Sequence, residues 1–277
     1  MTVFEARSEA GGQFLMAGRV PGKEAYGDAV AHRVRELAEL GVELRLGRRI
    51  GWGDLAELRG FDGAVLASGV LPRRPAIPGT ALDHVVDYQQ ALADPAALGE
   101  RVVVIGGGGI AVDVAHLLTS PQEKGGVERF FAEYGIGEAG LGAPAGPVRP
   151  ARAARRVTVV RRSGRVGAGI GASTKWVQLA ALRARGVETV TGVGYREITA
   201  EGVVVVDAAS GTERLLPADS VVVAAGQEPQ LAATEVLEAA GIPFRVAGGA
   251  ASTERLNAVR ATTEGIEAAY ALTAGGG

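Results

Sequence analysis

Apolar residues in this chain fall into short β-branched runs separated by stretches at helical spacing. Val102-Val103-Val104-Ile105, Val157-Thr158-Val159-Val160 and Val221-Val222-Val223 are too short for helices and rich in β-branched side chains, so each predicts a buried strand. Shorter strands are predicted over residues 2–5, 42–46, 62–69 and 244–247. Between them, Tyr26, Val30, Val34, Leu37 and Leu40 recur every three or four positions and predict a helix over residues 23–40, ended by Gly41. Comparable spacing predicts helices over residues 110–118, 127–134, 176–185, 231–240 and 259–272. Residues 187–207 alternate, break at Gly192, Gly194 and Gly202, and resume over 213–216, which predicts short antiparallel strands. Strands alternating with helices place the chain in the α/β class.

The strongest single pattern is the junction of the strand at 101–105 with the helix that follows. Gly106, Gly108 and Ala111 fit the G-x-G-x-x-A form of the dinucleotide fingerprint. The first glycine makes the turn, the second admits a diphosphate to the backbone, and the small third residue lets helix and strand pack closely. Gly109 and Ile110 open the helix, whose unpaired N–H groups and dipole attract an anion. A glycine-rich turn without a ligand has the same local sequence. After the strand at 157–160 come Arg161, Arg162 and Arg165, where a NAD-binding fold would carry a ribose-binding carboxylate. Guanidinium groups there favour the 2′-phosphate of NADP over a bare ribose; the alternative is a solvated basic strand end. Ser173 or Thr174 is the expected N-cap of the next helix, and Trp176 is read as a packing residue.

A second set of features lies at the two ends of the chain. Glu5 closes the first strand, at the position from which an acid accepts hydrogen bonds from an adenosine ribose, the alternative being a plain charged strand end, and Gly11-Gly12-Gln13 follow as a loop. No glycine fingerprint precedes Glu5 in these 277 residues. Ala67 and Gly69 end the strand at 62–69, Pro72, Pro75, Pro78 and Gly79 mark a crossing between domains, and Ala225-Gly226-Gln227-Glu228-Pro229 repeats the small-residue exit of that strand. Gly248-Gly249 precede the last helix and read either as a tight turn or as passage for a pyrophosphate or ribityl chain.

Composition narrows the chemistry. With 47% hydrophobic and 22% charged residues and a formal charge of -2, nothing favours nucleic acid or an anionic membrane as a partner. The absence of cysteine excludes disulfides, thiol catalysis and a cysteine-ligated iron–sulfur cluster within these residues. His32, His84 and His116 have no metal-ligand spacing, so no metal and no side-chain catalyst are expected. The first twenty residues read as no signal peptide, and a cytoplasmic location is the expectation.

Taken together, the motifs resemble the C-terminal FAD- and NADPH-binding portion of bacterial NADPH-dependent 2,4-dienoyl-CoA reductase, in the old-yellow-enzyme-like flavoprotein family. The likeness runs through Val20-Pro21-Gly22-Lys23-Glu24, Leu66-Ala67-Ser68-Gly69-Val70, the Gly106 turn, Ala132-Glu133-Tyr134-Gly135-Ile136, residues 167–176 and Ala225-Gly226-Gln227-Glu228-Pro229. It implies two dinucleotide-binding, Rossmann-like domains. The NADPH domain (81–224) would be inserted in an FAD domain (1–80 and 225–277) whose first strand and glycine fingerprint are missing. It assigns Glu5, Gly11, Gly12, Gln13, Ala67, Gly69, Gly226, Gln227, Glu228 and Gly249 to FAD. Gly106, Gly108, Gly109, Ile110, Arg161 and Arg162 fall to NADPH.

It further implies that hydride passes from NADPH to FAD, with onward transfer to an FMN and iron–sulfur barrel that these residues do not contain. Enoyl or dienoyl reduction would then need polypeptide outside them. The sequence departs from the family at Ala251, where an acid is usual, at Ala172, where a lysine is usual, and at Asn257 and Val259. A non-catalytic NADP(H)-binding module and a subunit of a two-chain flavoenzyme are the alternatives.

Overall fold

The computed structural model describes residues 1–120, 131, 153 and 155–274. But for residues 131 and 153, the helix predicted over 127–134 and the irregular stretch 135–154 lie outside the described residues. The chain forms two compact units: residues 1–15, 25–73 and 227–277, and residues 16–24 and 74–226. Residues 16–24 and 74–80, grouped by sequence with the first unit, thus pack with the second.

The second unit is built on a five-stranded, wholly parallel sheet. Its spatial order is Val85–Asp87, Ser220–Val223, Arg101–Ile105, Arg156–Arg161, Glu188–Thr191. Arg101–Ile105 is flanked on both sides, which explains its unbroken β-branched run: a parallel strand inside a sheet is buried on both faces. Alternate side chains leave it in opposite directions. Val102 and Val104 join Val157, Val159 and Val222 under the helices Tyr88–Ala93 and Gly109–Thr119. Val103 and Ile105 join Val160 and Val221 against Ile198, Val203, Val205 and Leu216. Those last residues come from an antiparallel three-stranded meander, Val193–Thr199, Gly202–Asp207 and Glu213–Pro217.

Glu188–Thr191 corrects one expectation: it pairs in parallel with Arg156–Arg161 and extends the main sheet. It is not the first meander strand. Its register is set by Val190, whose buried side chain belongs to the meander-facing core. The helix Ala172–Ala184 starts earlier than expected, with Gly171 as its N-cap residue, so Ser173 and Thr174 lie inside the first turn. Trp176 is 70% exposed. The helix packs instead through Leu179 and Leu182, leaving Trp176 on its outer surface.

Residues 16–24 are held to this unit by several devices. Met16 and Val20 enter the helix-side core, and Arg19 donates to the carbonyls of Leu92 and Ala93. Lys23 makes a 2.6 Å ion pair with Asp113, on the helix after the glycine turn. Burial pushes the Asp113 carboxyl up, against the opposing pull of Lys23.

The first unit is assembled differently. Thr2–Phe4 pairs in parallel with Glu43–Arg45, and Ala64–Leu66 pairs in parallel with Phe244–Val246, as two separate two-stranded ladders. Val70–Pro72 pairs antiparallel with Gln227–Pro229. The buried core, Leu58, Leu66, Val236, Leu237 and Ala240, lies on the Ala64–Leu66 side. The fifteen-residue helix Ala25–Glu39 has no buried residue, and the strand Thr2–Phe4 is only half-buried throughout. Isolated two-stranded ladders are marginal in water. Amide hydrogen exchange is therefore expected to be fastest, among regular elements, in Thr2–Phe4 and Ala25–Glu39 and slowest in Arg101–Ile105. Equal protection in the three segments would contradict this.

A second prediction concerns acid stability. His116 sits at the end of the helix Gly109–Thr119, with Arg185 Nη1 3.3 Å from its Nε2. Burial, then the Arg185 and Lys23 charges, lower its pKa from 6.5 to about 4. A base depressed in the fold is protonated first in the unfolded chain. Stability is thus full above pH about 6.5 and is lost as pH falls towards about 4, by on the order of 3 kcal/mol at this group. Thermal midpoints of wild type and His116→Gln across that range should show a shallower acid-side slope in the variant; identical slopes would refute the assignment.

Candidate dinucleotide site

The site in the second unit is built from the end of Arg101–Ile105. Gly106 N donates to the Val160 carbonyl at 2.9 Å, so the chain stays hydrogen-bonded to the neighbouring strand as it bends. Gly106 has φ +136, and a Cβ there would lie 2.1 Å from the Ala224 carbonyl oxygen. Only glycine fits this position. Gly108 then caps the helix Gly109–Thr119 with no side-chain hydrogen bond. Its first-turn N–H groups, including Gly109 and Ile110, have no intrahelical acceptor, and the dipole adds positive potential there. Ala111 is fully buried, as close helix–strand packing requires.

The arginines at and after the end of Arg156–Arg161 do not behave alike. Arg161 donates from Nη1 to the Gly107 and Arg165 carbonyls and from Nε to the Ser163 carbonyl. The Arg162 side chain is exposed and makes no hydrogen bond or ion pair among the described residues. Tyr195, whose hydroxyl donates to the Val160 carbonyl at 3.0 Å, has its pKa raised by burial, against the Arg162 and Arg161 charges. The loop after these arginines lies along the glycine turn, Gly167 N donating to the Gly107 carbonyl at 2.8 Å.

In the first unit the predicted residues form two clusters. Glu5, Gly11, Gly12 and Gln13 follow Thr2–Phe4. One Glu5 oxygen accepts from Arg7 N at 2.8 Å. Gly11 has φ +120 and lies so close to Val30 that a Cβ would approach it to 2.7 Å. Gln13 Nε2 is buried without a partner. Ala67, Gly69, Gln227, Glu228 and Gly249 form the other cluster, around the antiparallel pair. Glu228 pairs with Arg73 at 3.5 Å, the Gly69 carbonyl accepts from Gln230 N, and Gly249 lies beside Val70 and Gly69. Gly226 ends the second unit.

Three contributors were not anticipated from sequence. Glu264 Oε2 accepts from Gly248 N at 2.7 Å, while Arg260 donates to the carbonyls of Gly248 and Ser252 and pairs with Glu264 at 3.2 Å. The last helix thereby fixes the glycine turn before it; the i,i+4 spacing of Arg260 and Glu264 was the available signal. Lys23 was visible only as part of Pro21-Gly22-Lys23, with nothing to link it to Asp113. Among the described residues no group of three or more His, Asp or Glu is placed to hold a metal, and no helix is long and apolar enough to cross a membrane.

Comparison with known proteins agrees with this architecture. The chain is 28% identical over 233 residues to a metal reductase of Desulforamulus reducens, covering 83% of this chain and 34% of that protein. It is 28% identical over 273 residues to a bilirubin reductase of Mediterraneibacter gnavus, covering 98% and 37%. Among solved structures it is similar to a 2-naphthoyl-CoA reductase in complex with 2-naphthoyl-CoA, with TM-score 0.75 at 20% identity, over 98% of this chain and 35% of that one. The chain therefore spans about a third of the length of these relatives. Its α/β fold is of the FAD/NAD(P)-binding, Rossmann-like type. With residues 26–269 matching the family model, the chain belongs to the pyridine nucleotide-disulphide oxidoreductase family.

Proposed function

We propose that this chain is the NADPH-to-FAD electron-transfer module of a larger oxidoreductase resembling 2,4-dienoyl-CoA reductase. The observation that carries the reading is the bend at Gly106, which starts the helix Gly109–Thr119 with unpaired amides beside Arg161, the strand-end residue that donates to the Gly107 carbonyl. Amides and dipole suit a diphosphate, and guanidinium groups beside them suit a further phosphate on the ribose. The residues that would hold NADPH are Gly106, Gly108, Gly109, Ile110 and the arginines.

Two observations in the first unit support the flavin half of this reading. Gln13 carries an orphaned buried amide, and Gly11 leaves no room for a side chain. Glu5, Gly11, Gly12, Gln13, Ala67, Gly69, Gln227, Glu228 and Gly249 would hold the flavin dinucleotide. The nicotinamide and flavin supply the hydride chemistry when bound. The protein binds their phosphates, orients the rings and needs no proton donor for the step between them. No dithiol of this chain can receive the electrons, since it has no cysteine, so the acceptor is assigned to polypeptide outside these residues. The separate ladders of the first unit favour a second reading, in which FAD is held only when further polypeptide joins it and NADP(H) binds regardless.

Two outcomes test this. Calorimetry on the folded chain should show NADPH binding more tightly than NADH, with Arg162→Gln costing NADPH about tenfold and NADH nothing; folded protein giving no heat with either nucleotide would overturn the reading. Gly106→Ala should weaken both nucleotides together, because the Cβ displaces the bend from the Ala224 carbonyl. An unchanged affinity in that variant would remove the bend from the site.

A further inference from the structure

Arg161 ends its strand where charge for a 2′-phosphate is expected, yet its guanidinium is turned back onto the backbone. Nη1 donates to the carbonyls of Gly107 at 3.1 Å and Arg165 at 2.8 Å, and Nε donates to the Ser163 carbonyl at 2.5 Å. The Gly107 carbonyl accepts a second bond, from Gly167 N. The stem is in place as well: a Cβ on Gly107 would lie 2.5 Å from Arg161 Cδ and 3.1 Å from Arg161 Cβ. All three of these partners are backbone carbonyls on one of two loops, the glycine turn and residues 163–165. The rigid guanidinium fork suits such bridging, which an ammonium group cannot reproduce. Arg162 and Arg165, both exposed, make no side-chain hydrogen bond or ion pair among the described residues.

We propose that Arg161 is a positioning residue, a clasp that locks residues 163–167 against the glycine turn, and that Arg162 and Arg165 are the residues that discriminate the 2′-phosphate. The assignment of discrimination rests on the NADPH reading; the clasp does not. The division has a readable consequence. The clasp shapes the turn that meets the diphosphate, which NADPH and NADH share, so its loss falls on both. Loss of Arg162 or Arg165 falls only on the nucleotide that carries the extra phosphate.

The test uses the full chain with Arg161→Gln, Arg161→Lys, Arg162→Gln and Arg165→Gln, read by ligand-free amide hydrogen exchange and by calorimetry with each nucleotide. Arg161→Gln and Arg161→Lys should both speed exchange at Gly167, leave Arg101–Ile105 protected, and weaken NADPH and NADH by the same factor, about tenfold. Arg162→Gln and Arg165→Gln should leave exchange unchanged and weaken NADPH alone. Gly107→Ala pushes the Arg161 stem aside with every charge retained, and should reproduce the Arg161→Gln pattern even if that variant folds poorly. Unchanged exchange at Gly167 in the Arg161 and Gly107 variants would overturn the clasp, as would a loss confined to NADPH. Faster exchange with no wild-type preference for NADPH would leave the clasp standing and overturn the phosphate assignment.

Discussion

The second unit depends on one close approach, that of the Gly106 backbone to the Ala224 carbonyl. The strand Arg101–Ile105 is fixed by neighbours on both sides, so the bend at its end cannot relax by moving the strand. With no side chain at 106, the chain turns within van der Waals distance of the adjacent strand exit and the helix starts at once. That brings the helix N-terminus to the carboxyl end of the sheet, where doubly wound folds receive ligands. A side chain there would have to displace either the helix or the strand beside it.

Around that bend, charge and packing are divided between residues. Arg161 and Gly167 close the outer loop onto the turn, and Lys23 and Asp113 tie residues 16–24 to the same helix one turn on. His116, held neutral near the helix end by burial, keeps a positive charge out of a region already occupied by Arg185. The helix thus has open amides at its N-terminus and is anchored along its length, a combination that suits anion binding without movement of the scaffold. The first unit has fewer such ties. Its core is confined to the Ala64–Leu66 side, and the helix Ala25–Glu39 covers little.

Much of this was legible in the chain itself, because β-branched runs such as 102–105 and 157–160 have few ways to be buried other than as interior strands. The glycine bend was legible because the fingerprint encodes a steric requirement. What was not legible depended on contacts distant in sequence. Glu188–Thr191 looked like a meander strand since alternation does not reveal the direction of the partner. Trp176 looked buried because large aromatics usually are, yet Leu179 and Leu182 define the inward face. Arg161 and Arg162 are equivalent as letters. Only the loop geometry shows that the first spends its donors on carbonyls.

Whether the backbone at 107–110 grips a pyridine-nucleotide diphosphate is read most directly from the amide spectrum of the folded chain during titration with NADPH. Saturable shifts concentrated at Gly107, Gly108, Gly109 and Ile110 are expected. Saturable binding in which those four amides stay still would contradict that grip.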